Sequence, residues 1–256
     1  MDLELRDRVY IVTGGSRGLG HAVARELVAD GAKVVVTGRD GNRVTEAAAA
    51  LGPNAVGVTV DNADPRAAPR LIATARERFG GFHGLLVSVG GPPAGGVADT
   101  TDAQWRTSLD SVLLDSVLLG SVRLARAAAG ELGDGGAIGF VLSLTVHEPA
   151  PAMAISNALR PGLAGFAKSL AGELGPRGIR VFGLLPGRIG TDRMRELDSL
   201  SPDPGLRRAA NESEIPLRRY GTPREFGRAG AFMLSPAASY LTGVMLSVDG
   251  GARHGF

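Results

Sequence analysis

The sequence predicts a single α/β domain built on a doubly wound parallel sheet flanked by helices. Three observations predict it. Short β-branched apolar runs alternate with longer amphipathic stretches along all 256 residues. The apolar runs are continuous, as strands buried on both faces require. A glycine-rich turn lies directly between the first run and the first amphipathic stretch.

Val9 to Thr13 reads as the first buried strand, and Gly18 to Asp30 as a helix with Leu19, Ala22, Val23 and Leu27 at helical spacing. Lys33 to Thr37 is a strand and Gly41 to Leu51 a helix. Ala55 to Val60 and Pro65 to Phe79 repeat the pair, followed by a strand at Leu85 to Val89. A long helix is expected from Asp102 to about Leu132, broken at most once. Ala137 to Leu142 is a strand, Met153 to Leu174 a helix and Ile179 to Leu185 a strand. Pro223 to Leu234 is the last helix and Val244 to Val248 the closing strand. Arg188 to Tyr220 is the one long irregular region, interrupted by Ser201-Pro202-Asp203-Pro204-Gly205. Such a segment inside a compact domain is expected to act as a substrate lid, over about residues 188–220.

Composition narrows the function classes. Hydrophobic residues are 44% and charged residues 21%, which excludes disordered and fibrous chains. The absence of cysteine excludes disulfides, thiolate metal sites and a cysteine nucleophile. The charged start Asp2-Leu3-Glu4-Leu5-Arg6-Asp7 is unlike a secretory leader, and no run approaches the roughly 18 apolar residues of a membrane span. A cytoplasmic location without a membrane partner is therefore expected. The net charge is only +2 and the arginines are scattered among acids, so no nucleic-acid partner is expected.

Thr13-Gly14-Gly15-Ser16-Arg17-Gly18-Leu19-Gly20 is the strongest motif. In a strand-to-helix turn, glycines let the backbone approach a pyrophosphate, and the helix amino terminus offers free N–H groups and partial positive charge. The domain is thus expected to be Rossmann-like and to bind a dinucleotide. The glycine spacing resembles the T-G-x-x-x-G-x-G turn of the short-chain dehydrogenase/reductase family. Asp61-Asn62, Ser88-Val89-Gly90-Gly91, Pro186-Gly187-Arg188-Ile189-Gly190-Thr191 and Val248-Asp249-Gly250-Gly251 also resemble family segments. The likeness covers almost the whole chain and is strongest to the 3-oxoacyl-carrier-protein reductases. It implies adenine contacts at Asp61 and Asn62, and nicotinamide and phosphate contacts at Ser88, Gly90, Gly91, Pro186, Gly187, Ile189 and Thr191. Gly14, Ser16, Arg17, Gly18, Leu19 and Gly20 would cradle the pyrophosphate.

The second strand ends Thr37-Gly38-Arg39-Asp40. Arg39 and Arg17 suit a 2′-phosphate, because guanidinium binds phosphate in a two-pronged geometry, so NADP(H) is the expected cofactor. Asp40 is the contrary signal, since a carboxylate there can reach the ribose.

The resemblance also implies a Ser, Tyr, Lys and Asn active site, and here the chain departs. Ser143 matches the serine. Counting back along Met153 to Leu174 puts Ser156 at the tyrosine position and Arg160 at the lysine position, with Val112 at the asparagine position and Ser111 beside it. Ser156 and Arg160 share a helix face. Arg160 would hold the ribose and supply positive charge, and Ser156, His147 or an ordered water would relay the proton. Leu109 to Leu124 is apolar on more than one side, which suits either a wide core face or a subunit interface. The resemblance implies a homodimer or homotetramer. The reading is an NADP(H)-dependent oxidoreductase interconverting a small-molecule ketone and a secondary alcohol, with an atypical active site and no metal. The alternative is a dinucleotide-binding sensor or partner subunit without redox turnover.

Overall fold

The computed structural model describes residues 1–91, 94–101, 103, 105 and 118–255. Seven parallel strands form one sheet: β1 Val9–Val12, β2 Lys33–Gly38, β3 Ala55–Thr59, β4 Gly84–Val87, β5 Ala137–Val141, β6 Arg180–Pro186 and β7 Val244–Val248. Their order is β3-β2-β1-β4-β5-β6-β7, so the winding reverses between β1 and β4. In-register parallel pairs join every neighbour, with Val12 opposite both Val36 and Leu86.

Eight α-helices are assigned among the described residues: α1 Gly18–Ala29, α2 Gly41–Leu51, α3 Ala67–Phe79, α4 Gly120–Glu131, α5 Ala154–Leu174, α6 Asp192–Asp198, α7 Pro204–Glu214 and α8 Pro223–Leu234. They cover the sheet on both faces and generate two cores. Val9, Ile11, Val35 and Leu85 point into one, with apolar residues of α3, α4 and α5. Tyr10, Val12, Val34, Val36 and Leu86 point into the other, with α1 and α8. The period-two alternation of side chains is what sends neighbours in one strand to opposite cores. No helix is long and apolar enough to cross a membrane among the described residues.

Two arginines close helix ends. Arg180 donates to Met233 O at 2.7 Å and Ser235 O at 2.8 Å, at the end of α8. Arg177 donates to Ala129 O at 2.7 Å and Leu132 O at 3.0 Å, at the end of α4. Both meet the carbonyls and negative dipole that every helix leaves at its carboxyl end.

Three expectations need correction. α3 begins at Ala67, not Pro65, because Asp64 Oδ1 accepts from Arg66 N and holds residues 64–66 in a turn. β4 runs Gly84–Val87, since Ser88 N turns instead to Thr13. Arg188 to Tyr220 is not irregular. It holds α6 and α7, and the Pro-Gly cluster starts the second: Asp203 accepts from Leu206 N and Pro204 stands where a helix needs no N–H donor. The expected long helix is described from residue 118 onward; Leu109, Ser111 and Val112 lie outside the described residues.

Candidate functional site

The site lies at the carboxyl edge of the sheet, where the strand order reverses and α/β sheets open a crevice. Thr13 Oγ1 accepts from Ser88 N at 3.0 Å and donates to Ser88 O at 3.2 Å, tying β1 to β4 there. Gly14 has φ +57°, and a Cβ on it would stand 2.4 Å from Ser88 O. A Cβ on Gly20 would stand 2.6 Å from Gly14 O, so the turn and α1 close only with glycine at both positions. Gly15 N donates to Thr37 O at 2.9 Å, and Ser16 Oγ rests against Gly38. Gly18 has φ +60° and opens onto free space. Arg17 is the exposed residue preceding α1, with no side-chain cap and no acid in the first turn. The first N–H groups of α1 therefore lack a side-chain partner, beneath an open glycine. This cradle fits a pyrophosphate. Leu19 is half buried behind it.

On the β2 side, Arg39 is exposed and carries no ion pair among the described residues. Asp40, the contrary signal, is committed elsewhere: it accepts from Arg43 N at 3.2 Å as the cap of α2 and pairs with the Arg43 guanidinium at 3.3 Å. Asp61 accepts from Ala63 N in the turn after β3, with half-buried Asn62 beside it.

On the β6 side, a Cβ on Gly187 would meet Asp249 at 2.6 Å, which brings the Pro186-Gly187 and Asp249-Gly250 turns together. Ile189 is buried and bridges Gly221. Gly190 N donates to Gly221 O at 2.8 Å and Gly221 N to Arg188 O at 3.0 Å, so the two feet of the 188–220 segment are joined. Thr191 caps α6 by accepting from Met194 N.

The catalytic candidates gather at the end of β5. Ser143 is extended, half buried, and its Oγ accepts from Thr145 N at 3.2 Å. Thr145 Oγ1 meets Ser156 Oγ at 3.3 Å. Ser143 and Ser156 are thus linked through Thr145, which the sequence reading missed. Ser156 is 3% exposed, and its hydrogen bond among the described residues is to Thr145. Asn157, also missed, clamps the loop onto α5, accepting from Ala150 N and donating to Ala150 O. Gly95 pairs with Met153 beside it, at Ala152, whose φ of +55° is strained for a residue with a Cβ. His147 is exposed beyond the 144–146 turn, and its ring has no hydrogen bond among the described residues. Partial desolvation and the Arg253 charge hold it below the usual histidine range, against a smaller opposing pull from Glu148.

Arg160 is 4% exposed. Its Nη1 donates to Val141 O at 2.8 Å and its Nη2 to Gly90 O at 3.3 Å, so it braces the ends of β5 and β4. Burial without a carboxylate partner among the described residues pulls it down to about 10. The three tyrosines stand outside α5: Tyr10 is in β1, pushed up to about 12 chiefly by burial, Tyr220 belongs to the 188–220 segment and Tyr240 is fully exposed.

The structure therefore joins Gly14, Gly20 and Ser88 at the turn, Arg160 and Gly90 across β4 and β5, and, among the described residues, Ser143 with Ser156 through Thr145. A signal for Thr145 was present, as a hydroxyl two residues past Ser143; Asn157 offered none beyond its place between Ser156 and Arg160.

A family model described as enoyl-(acyl carrier protein) reductase matches residues 14–253. The human protein named dehydrogenase/reductase SDR family member 4 is 34% identical over 255 residues, covering 96% of this chain and 88% of that protein. The 3-oxoacyl-[acyl-carrier-protein] reductase of Salmonella typhimurium is 32% identical, covering 97% and 98%. L-sorbose reductase from Gluconobacter frateurii, solved with NADPH and L-sorbose, superposes with a TM-score of 0.89 at 28% identity, covering both chains fully.

Proposed function

The chain belongs to the short-chain dehydrogenase/reductase family, and from that premise we propose that it is an NADP(H)-dependent oxidoreductase interconverting a small-molecule ketone and its secondary alcohol. The observation that carries the reading is the cradle of α1, with its first turn uncapped by a side chain, beside the Thr13–Ser88 tie and on the same sheet edge as Ser143. Bound there, the nicotinamide supplies or accepts the hydride; every other duty falls to this chain.

Gly14, Ser16, Gly18, Leu19 and Gly20 hold the pyrophosphate, and Arg17 and Arg39 take the 2′-phosphate. The engagement of Asp40 with Arg43 supports NADP(H) over NAD(H), because its charge is directed at α2. Asp61 and Asn62 flank the adenine. Ser88, Gly90, Gly91, Pro186, Gly187, Ile189 and Thr191 line the nicotinamide end. Ser143 Oγ already accepts from Thr145 N, so its own proton is left to orient the substrate oxygen. Ser156 and Arg160 stand where relatives of this family carry tyrosine and lysine. A serine hydroxyl is a far weaker acid than a phenol of reference pKa about 10, and losing a positioned acid costs about 10²–10⁴ in rate. Arg160 offsets part of this by placing positive charge near the developing alkoxide. The proton reaches the substrate oxygen by way of Ser156, His147 or an ordered water, with Ser143 orienting that oxygen. We take residues 1–256 as one domain, residues 188–220 as its substrate lid, and a homodimer or homotetramer as its assembly.

The test is NADPH binding, read by its fluorescence, together with NADPH oxidation over a panel of ketones. Binding with slow turnover that falls at least tenfold in Ser143→Ala is the expected result. Firm binding with no turnover overturns it and favours a cofactor-binding sensor or partner subunit. One observation favours that second reading: Ser156, at the acid position, is sealed against Thr145. Activity created by Ser156→Tyr with Arg160→Lys in an otherwise silent protein would establish it.

A further inference from the structure

We infer that His21 is a positioning residue of the glycine turn, acting through the Gly15 carbonyl to aim the Ser16 N–H at a phosphate of the bound dinucleotide; the inference rests on the cofactor-binding reading of that turn. His21 is in the first turn of α1. Its half-buried ring reaches back over six positions, where Nδ1 lies 3.0 Å from Gly15 O. A carbonyl oxygen only accepts, so Nδ1 carries the proton and donates. The neutral ring is therefore held as the Nδ1–H tautomer. A second proton, on Nε2, leaves the bond in place. The ring is itself anchored, because His21 N donates to Arg17 O at 3.3 Å.

The consequence follows from the planarity of the peptide bond. Gly15 C=O and Ser16 N–H belong to one rigid trans unit and point in opposite directions. With the carbonyl drawn to the His21 ring, the Ser16 N–H is turned the other way. No partner for that N–H stands among the described residues. The peptide on the other side of Gly15 is tied separately, since Gly15 N donates to Thr37 O at 2.9 Å. A Cβ on Gly15 would stand 2.8 Å from Val12 O, so the position requires glycine. Glycine is also the residue whose backbone turns most freely. The two ties remove that freedom, one on each side of the Gly15 Cα. The bond to β2 holds the incoming peptide, and His21 holds the outgoing one.

A turn that keeps this direction before the ligand arrives spares binding the cost of ordering it. The bond from His21 is intramolecular and ordinary in length, so its loss is expected to cost about threefold to tenfold in affinity. The loss falls on the phosphates that the turn meets and not on the reacting end of the cofactor.

The experiment uses the full chain with two substitutions. His21→Leu removes the donor and keeps bulk. His21→Asn places an amide N–H where Nδ1–H stood. NADPH and NADH are titrated by fluorescence. His21→Leu should weaken NADPH binding about threefold to tenfold, and His21→Asn should stay within twofold of the natural protein. In turnover the loss should fall on KM for NADPH rather than on kcat. An equal loss for NADH assigns the Ser16 N–H to the pyrophosphate; a loss confined to NADPH assigns it to the 2′-phosphate. A second readout needs no cofactor: the ring nitrogen resonances of the free protein at about pH 8.5, where an ordinary histidine is neutral. His21 should be the Nδ1–H form. His83, whose Nδ1 accepts from Val9 N, should be the opposite form and serves as the reference. An Nε2–H form of His21 overturns the inference, and so does an Asn variant that binds as weakly as the Leu variant. Firm NADPH binding that is unchanged in His21→Leu overturns the inference alone. A natural protein that binds neither dinucleotide overturns the cofactor reading, and this inference with it.

Discussion

Thr13 and Ser88 exchange two hydrogen bonds, 3.0 Å and 3.2 Å long, across the point where the sheet reverses. That exchange fixes the floor of the cofactor cradle, because Gly14 sits directly over the Ser88 carbonyl. Gly14→Ala meets a 2.4 Å contact and a positive φ together. It should lose about 1–3 kcal/mol of stability and at least tenfold in NADPH affinity. Thr13→Val leaves a buried N–H and C=O unpaired and should cost a similar amount. Thermal melts and NADPH fluorescence titrations check both; a Gly14→Ala protein that melts and binds like the natural one would sink the account.

On the proposed reading, Arg39 sets cofactor choice. Arg39→Glu should weaken NADPH binding by about tenfold or more, near 1.4 kcal/mol, and leave NADH binding within a few-fold. Raising salt should weaken NADPH binding by the natural protein more than by the variant, because the contact is exposed and screened. Equal losses for both cofactors would show that Arg39 does not face the 2′-phosphate.

His83 makes the fold acid-sensitive. Its Nδ1 accepts from Val9 N at 2.9 Å, a bond that only the unprotonated nitrogen can make. Burial, and to a lesser degree Arg8, hold its pKa below the ordinary value of 6.5. The unfolded chain therefore binds the proton first. The stabilisation is present above about pH 6.5 and is lost as pH falls through the folded-state value. His83→Asn keeps an acceptor and cannot titrate. Its melting temperature should fall less between pH 7.5 and pH 5 than that of the natural protein.

Asp198, Asn211 and Tyr220 form a buried knot beneath α6 and α7. Tyr220 Oη donates to Asp198 Oδ1 at 3.1 Å and accepts from Asn211 Nδ2 at 2.8 Å, while Arg208 covers the ring at 4.9 Å. Tyr220→Phe leaves Asp198 with one donor fewer and should cost about 1–2 kcal/mol in local opening. Hydrogen exchange should accelerate in residues 192–220 and stay unchanged in the strands. Uniform acceleration over the whole chain would mean the knot supports the domain rather than the lid.

Much of this was legible in the residues. The strands were readable because valine and isoleucine runs buried on both faces carry no competing helical period, as at Val9 to Val12. The glycine turn was readable because its glycines answer steric demands that the structure measures at Gly14 and Gly20. Asp40 stayed ambiguous in the sequence, since a carboxylate ending a strand looks the same whether it reaches a ribose or caps the next helix, and here it caps α2. The 188–220 segment misled for a related reason: Ser201-Pro202-Asp203-Pro204-Gly205 breaks one helix and begins another with the same residues. Thr145 offered a signal as a hydroxyl near Ser143, but its bond to Ser156 was hidden, because it depends on a tight turn at 144–146 bringing the loop back onto α5. The double brace of Arg160 was equally hidden, since it joins residues 19 and 70 positions away.

The joined feet of the 188–220 segment carry an evolutionary implication. Residues 188–190 and 221 are bonded to each other, Asp198, Asn211 and Tyr220 satisfy their polar groups within the segment, and its far end is tied outward, through Leu217 N to Gly250 O and Arg219 to Glu225. On the proposed lid reading, mutations between the feet and the Leu217 tie, in residues 192–214, remodel what enters the site with little disturbance of the β-sheet. Under that reading, selection can trial new substrates by point changes in α6 and α7, while the glycine turn at 14–20 is inherited intact.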